Sequence, residues 1–300
     1  MDPVEDVLTA MRIEQSRYLR VEATAPWGIA FHAPETTRLV LIASGSCVLT
    51  ADALPQPRRL TAGDCFVVQA TTKFALEDEP GRPLVECETL FPEPDRTVAT
   101  HGGPGARTDI VSGRFSFDTT AAEPLFAMLP PLFVLDLHGA AGQQLRATFE
   151  LLAREDAEAG LGSGLVTSRL ADVLFVQAIR AFCETGGGTL GWLAAQRDPR
   201  LAAATRALHA DLAHPWTVEA LAREAGLSRS AFAAAFRAVV GETPLGYLTS
   251  WRLHQAKRLL HETDLSVAQI AARVGYESNA ALTRVFRRRE GTTPGAWRRR

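Results

Sequence analysis

Near its C-terminus the chain repeats itself. Thr217-Val218, Leu221-Ala222 and Ala225-Gly226-Leu227 return 49 positions later as Ser266-Val267, Ile270-Ala271 and Val274-Gly275-Tyr276. Beyond that point the offset is 50, and Phe232, Phe236, Gly241, Pro244 and Tyr247 answer to Leu282, Phe286, Gly291, Pro294 and Trp297. One residue has been added in the second turn. Both copies must therefore satisfy the same local geometry, which narrows the possible folds more than any composition does.

Each copy reads as two helices around a tight turn. Thr217 and Ser266 are N-cap oxygens opening a short helix with apolar positions at i, i+3, i+4 and i+7. Gly226 and Gly275 supply the positive φ such a turn needs. A second helix follows, held by Phe232/Phe236 in one copy and Leu282/Phe286 in the other, and Gly241 or Gly291 ends it. This is a helix-turn-helix, whose second helix enters the major groove of DNA. One copy would be weak support, since helical hairpins are common; two in register are strong.

The charge distribution agrees. The whole chain of 300 residues has a formal charge of −2, yet residues 200–300 carry 16 basic and 8 acidic side chains, and residues 1–199 carry 16 and 26. A basic back half suits a polyanionic partner. Hydrophobic residues at 46% and charged ones at 22% exclude wholesale disorder. The longest aliphatic run, Leu39 to Ala43, is far below the roughly 18 residues of a membrane span. No basic leader precedes an apolar stretch at the N-terminus, so a cytoplasmic protein without a membrane partner is expected.

Val267 to Ala272, Gly275-Tyr276, Leu282-Thr283-Arg284-Val285-Phe286-Arg287, Gly291, Pro294 and Trp297-Arg298 resemble the AraC/XylS transcriptional regulators over about 100 residues. The resemblance implies two helix-turn-helix units joined by a long helix, matched by Leu245 to His261 with Arg252 and Ala256 in place. It implies that both recognition helices read successive major-groove faces of one double-stranded site. Carried over residue by residue, the first recognition helix presents Ser230, Ala233 and Ala234 to base edges, with Arg229 and Arg237 for phosphates. The alanines depart from the family's longer polar side chains, and alanine offers a thymine methyl contact but no hydrogen bond. The second offers Asn279, Thr283 and Arg284 to bases, with Ser278 and Arg287 placed for the backbone. Asn pairs bidentately with adenine and Arg with guanine, so the second unit is expected to carry more of the hydrogen-bonded specificity. Arg288 and Arg289 fit either phosphate contact or a solvated helix end.

Residues 1 to about 135 read as β structure. Short apolar segments (Leu39 to Ile42, Cys47 to Leu49, Cys65 to Val68) alternate with turn signals at Gly45-Ser46, Pro55 to Pro57, Gly63-Asp64 and Pro80-Gly81. That spacing favours a barrel or a sandwich. A Gly/Pro loop at His101 to Gly105 precedes a last strand near Ile110 to Phe117. From Gln143 the pattern is helical, with stripes Leu145/Phe149/Leu152 and Leu170/Val173/Leu174/Ala178 and breaks at Gly160 to Gly164 and Gly186 to Gly188. These helices could complete the core or face a second subunit.

Pro26-Trp27-Gly28, Gly45 to Leu49, Leu60 to Phe66, Gly113 to Asp118 with Leu129-Pro130-Pro131, and Gly191-Trp192-Leu193 with Arg197-Asp198-Pro199-Arg200 are similar to AraC-type proteins with an N-terminal cupin-like sensor. This match rests on short turns and dipeptides. It implies an α+β multidomain chain: a cupin-like β-barrel over 1–138, a helical dimerisation segment over 139–197 and an all-α double helix-turn-helix over 198–300. It further implies a homodimer and a small-molecule effector of unidentified chemistry, and leaves RNA polymerase open as a further partner.

Catalytic signatures are lacking. Metal-binding cupins use paired histidines, a carboxylate and a third histidine; here His32 stands alone near Glu35, and His101 lies in the Gly/Pro loop, so no metal and no other cofactor is expected. His101-Gly102-Gly103 has no GxSxG elbow to serve, and neither GxGxxG nor a Walker motif occurs. A DNA-tethered barrel enzyme is the less favoured alternative. Four cysteines (Cys47, Cys65, Cys87, Cys183) form no CxxC. Cys47 and Cys65 are expected on neighbouring strands and Cys87 on another, as core thiols or as redox sensors. At Ser112, where similar sequences carry cysteine before a Gly-x-Phe turn, serine stands.

Overall fold

A computed structural model describes residues 13–32, 36–93, 96–117, 119–126, 129–135, 137, 139–158, 160–185 and 192–299. Glu35, Asp118, Gly186 to Gly188, Gly191 and Arg300, singled out above individually or within motifs, lie outside the described residues, as does the side chain of Cys183. Two compact units form: one from Ile13–Asp118 with Leu129–Gly187, the other from Thr119–Met128 with Gly188–Arg300.

The first unit is a β sandwich. Among the described residues its strands are β1 (Ile13–Thr24), β2 (Gly28–Phe31), β3 (Thr37–Ser44), β4 (Ser46–Ala51), β5 (Arg58–Thr61), β6 (Cys65–Val68), β7 (Phe74–Glu77), β8 (Val85–Glu86), β9 (Val98–Gly102), β10 (Arg107–Phe117) and β11 (Leu132–Leu135). They make one sheet in the order β11-β6-β3-β10-β1-β9 and another in the order β5-β4-β7-β2-β8. Alternate residues of each strand face the shared core: Leu19, Val21, Val40, Ile42, Phe66 and Ile110 from the larger sheet meet Ile29, Phe31, Leu49 and Leu76 from the smaller. The strands of the larger sheet are also covered on their other face. Residues 37–42 of β3 are all buried, the pattern of a strand with no solvated side.

Helices provide that outer cover. Because β10 supplies Phe115 and Phe117, and β11 supplies Phe133, the outer face is aromatic. Two helices of this unit, at Ala140–Glu158 and Ser163–Thr185, follow β11 in the chain. From the second, Phe175 lies 5.4 Å from the Phe115 ring and 4.7 Å from Phe117, and Phe182 lies 4.1 Å from Phe133. Leu145, Phe149, Leu152 and Leu174 are buried within the chain itself. Of the two uses open to the apolar stripes, these four side chains serve the core; Val173 instead points to solvent.

Several local expectations need correcting. The break between the two helices is shorter than Gly160 to Gly164, since Ser163 and Gly164 are already helical. His101 lies on strand β9 rather than in a loop. Gly113 to Phe115 is continuous strand β10 rather than a turn, and Gly113 is there because a Cβ would come within 2.9 Å of the Phe115 ring. Cys47 and Cys65 sit in different sheets, and Cys87 opens a 3-10 turn at Cys87–Leu90.

The second unit is all-helical: α1 (Thr119–Phe126), then, numbering the two cover helices α2 (Ala140–Glu158) and α3 (Ser163–Thr185), α4 (Trp192–Ala195), α5 (Pro199–Ala210), α6 (Val218–Glu224), α7 (Arg229–Val240), α8 (Pro244–Glu262), α9 (Val267–Arg273), α10 (Asn279–Glu290) and α11 (Pro294–Trp297). Helix α8 is the long connector expected over Leu245 to His261. Its C-terminal half supplies Leu253, Ala256 and Leu260 to a core shared with Ile270, Ala271, Val274, Leu282 and Phe286.

Candidate nucleic-acid interface

The repeat becomes two superposable local programmes. Thr217 accepts from the Ala220 N–H to cap α6, and Ser266 forms a full capping box with Gln269 on α9. Helices α6 and α9 differ in number by 49; α7 and α10 are both 12 residues long and differ by 50. The extra residue is therefore in the turn, where Val274-Gly275-Tyr276-Glu277-Ser278 replaces Ala225-Gly226-Leu227-Ser228. Gly226 and Gly275 have φ of 64° and 82°. A side chain at 226 would meet open space, whereas one at 275 would come within 2.8 Å of the Ala213 backbone, so the second turn needs glycine twice over.

Each recognition helix buries one stripe and shows the opposite one. In α7, Phe232, Phe236 and Val240 are buried; in α10, Leu282 and Phe286 are. The exposed stripes carry the candidate contacts at equivalent positions: Arg229 with Asn279, Ala233 with Thr283, Ala234 with Arg284, and Arg237 with Arg287. Ser230, Ala234 and Arg237 are exposed and Ala233 is partly covered. Asn279, Arg284 and Arg287 are exposed, and Thr283 is half-buried.

Local bonds set what each side chain can offer. Arg229 Nε lies 2.6 Å from Glu219 Oε1, so it must exchange that partner before it can hold a phosphate. Ser278 accepts from the Ala281 N–H as the cap of α10, leaving its hydroxyl proton available to a phosphate oxygen. The Thr283 hydroxyl donates to Asn279 Oδ1 at 3.0 Å and thereby orients the carboxamide. Asn279, Ala280, Thr283, Arg284, Arg287 and Arg288 form one open, shallow surface with no acidic member. Arg288 thus joins the group, although its place at a helix end gave no reason to prefer it over Arg289.

The connection between the two helix-turn-helix motifs passes through Arg252 of α8. Its Nε donates to the Leu212 carbonyl and its Nη2 to that of His214, both at 2.8 Å, while the guanidinium lies 5.7 Å from the Tyr276 ring. Lys257, also on α8 and buried, pairs with Glu123 of α1 and with Glu290 of α10 at 3.5 Å, beside the Trp297 ring. Sequence reasoning placed Arg252 by resemblance alone; its partners come from segments 24 and 40 residues away, beyond the reach of spacing.

In the sandwich, His32 Nδ1 is 2.8 Å from Glu86 Oε2, and among the described residues no group of three or more His, Cys, Asp or Glu side chains could hold a metal ion. Cys47, Cys65 and Cys87 are buried. Burial pushes the Cys47 thiol up to about 12 and raises Cys65 and Cys87 as well, which keeps all three protonated and poorly nucleophilic at neutral pH. Among the described residues, no helix is long and apolar enough to cross a membrane.

Comparison with known proteins follows the same division. Residues 2–184 match a cupin family and residues 221–300 a helix-turn-helix domain family. The chain is 34% identical over its whole length to a putative AraC-like transcription regulator of Streptomyces lividans, covering 98% of that protein. It is 29% identical to the HTH-type transcriptional regulator AlkR of Acinetobacter baylyi, over 99% of both chains. Among solved structures, the DNA-binding domain of AdpA in complex with a target DNA is 40% identical across 34% of this chain and 91% of its own, with a TM-score of 0.32.

Proposed function

Because the chain belongs to the AraC-type transcription regulators that carry an N-terminal cupin domain, we propose that it reads a two-block DNA site through α7 and α10 and couples that reading to a small molecule held by its β sandwich. It is a sequence-specific DNA-binding regulator, and the division of labour within it is as follows. Residues 1–138 sense, 139–197 assemble the dimer, and 198–300 read DNA. Asn279, Thr283 and Arg284 read base edges, and Ser278 and Arg287 hold the backbone. On α7, Ser230, Ala233 and Ala234 make close apolar or single-bond contacts, while Arg229 and Arg237 take phosphates. RNA polymerase would be a further partner wherever the bound protein activates, and the site of action is the cytoplasm.

The observation that carries this reading is the open, acid-free surface of α10, on which a pre-oriented Asn279 stands beside Arg284. A second copy of the chain is proposed as the partner of α3, whose Leu165, Val166 and Val173 are exposed on one face. The sandwich is inferred to be a sensor rather than an enzyme: His32 is engaged by Glu86, and the relatives are regulators.

Selection of bound duplexes from a random pool by the full chain tests the proposal. Two short blocks about 10 base pairs apart should be enriched, one of them degraded by Arg284→Ala. Salt-dependent binding without any enriched sequence would overturn it.

A further inference from the structure

The sandwich holds three arginines side by side on its inner face. Arg17 of β1 is the cross-strand partner of Arg114 of β10, and Arg114 is in turn the partner of Arg38 of β3. Strand alternation fixes their direction. Arg17 shares a face with Leu19, Arg38 with Val40 and Ile42, and Arg114 with Ile110, all members of the core. Directly opposed residues on adjacent antiparallel strands hold their Cβ atoms about 5 Å apart, and like charges so placed repel.

Among the described residues that charge is compensated only in part. Arg38, 2% exposed, donates from Nη2 to Glu88 Oε1 at 2.7 Å and lies 5.2 Å from the Phe31 ring. Arg17 donates to the carbonyls of Glu93 and Arg96, which are neutral acceptors. Arg114 has no hydrogen bond or ion pair among the described residues. Among the described residues one carboxylate thus serves three guanidiniums. Two further polar atoms on this face are buried and lack a partner among the described residues: Arg38 Nε and Ser112 Oγ, the latter two residues before Arg114 on the same strand. Burial lowers the Arg38 pKa, and the Arg114 charge adds to that effect.

Positive charges aligned on neighbouring strands with little carboxylate beside them suit an oxyanion, and guanidiniums bind carboxylates and phosphates through paired N–H groups. The geometry points to an effector site for a small organic anion, with its carboxylate or phosphate held by Arg114 and Arg17, backed by Arg38 and Ser112. Arg17 and Arg114 are only half-buried, so the charged end lies at the rim of the sandwich. An apolar body would extend toward Phe31 and Phe74, whose rings stack at 4.4 Å. This deepens the sensor reading above and rests on it.

The test uses the full chain, with thermal unfolding followed in inorganic phosphate, in benzoate, and in chloride at matched ionic strength. A saturable rise in Tm with phosphate or benzoate, absent with chloride, is expected; which of the two saturates at lower concentration assigns the head group. Arg114→Gln and Arg17→Gln should each move the half-saturating concentration up by about tenfold or more. Without added anion, Arg114→Gln should be at least as stable as the parent, because it relieves repulsion.

An anion response no different from chloride overturns the site. A response equal in parent and variants also overturns it, since the anion would then be bound elsewhere, for example at the arginines of α10. Should Arg114→Gln fail to fold, Arg17→Gln decides: an anion response unchanged from the parent overturns the site. DNA selection by the same samples keeps the two claims apart: a failed anion response with intact selection removes the site and leaves the regulator standing.

Discussion

The Arg252 guanidinium lies 5.7 Å from the ring of Tyr276 while its Nε and Nη2 hold the carbonyls of Leu212 and His214. One side chain on α8 therefore fixes the entry to the first helix-turn-helix against the turn of the second. Arg252→Ala should cost about 2 to 4 kcal/mol, from two charge-assisted bonds and one ring contact. Arg252→Lys should recover little of that, because a lysine lacks the planar fork that reaches both carbonyls. Urea denaturation of the two variants measures both numbers.

Base discrimination should depend on α10. Arg284→Ala and Asn279→Ala are each expected to lose about 1 to 3 kcal/mol of preference for the selected site over a single-base variant. Thr283→Val should weaken the Asn279 contribution as well as its own base contact, since it removes the hydroxyl that orients the carboxamide. Ala234→Gly should lower helix stability by about 1 kcal/mol and alter base choice less than it alters the helix. Competition binding on a set of variant duplexes separates these outcomes.

Arg287 should behave differently from Arg284. As a phosphate contact, Arg287→Ala is expected to weaken binding evenly across sequences and to reduce the slope of log K against log salt by about 1. Titrations at three salt concentrations on selected and scrambled duplexes check this.

The DNA-reading unit should lose stability in mild acid. His209 sits against the Tyr247 hydroxyl and Trp251 ring, and desolvation, aided by the charge of His254, lowers its pKa from 6.5 to about 3. The unfolded chain binds a proton below 6.5 that the folded unit refuses until near 3. Stability is thus unaffected above 6.5 and falls with pH below it, by about 2 kcal/mol at pH 5 from this group. His209→Gln, which can still accept from Tyr247, should flatten the dependence of the denaturation midpoint between pH 7 and pH 5.

Assembly can be probed where the fold does not interfere. Val173→Glu places a charge on the exposed face of α3 and should convert a dimer to a monomer with unchanged circular dichroism. Leu174→Glu, one residue on, puts the charge into the chain's own core and should unfold the sandwich unit. Light scattering with circular dichroism on both distinguishes them; a parent that is already monomeric at micromolar concentration would reject the dimer.

The reader was legible because its signals are local. Thr217, Gly226, Gly241 and their counterparts act through φ and a cap bond within a few residues, and the repeat displays them twice. The sandwich was less legible because its decisive relations are long-range. Whether Cys47 and Cys65 are neighbours depends on which sheet each strand joins, and no turn residue reveals that. The row of Arg17, Arg38 and Arg114 exists only once register aligns three strands almost a hundred residues apart in the chain. Helix α1 gave no capping or periodic signal, and β11, four residues directly after Pro130-Pro131, lies beyond the segment near Ile110 to Phe117 that reads as the last strand.

Helix α1 has a further consequence for how such a protein can be taken apart. The chain quits the larger sheet at Phe117, lends eight residues to the helical unit, and resumes β structure at Leu132. A reader excised at Asp198 therefore leaves Glu123 behind, and Lys257 keeps Glu290 as its remaining carboxylate. Grafting this reader onto a foreign sensor, whether by recombination in nature or by splicing in the laboratory, would carry the same debt: a buried ammonium designed for two counter-charges would arrive with one. The seam between the modules runs through the middle of the polypeptide, and a clean swap has to cut it in more than one place.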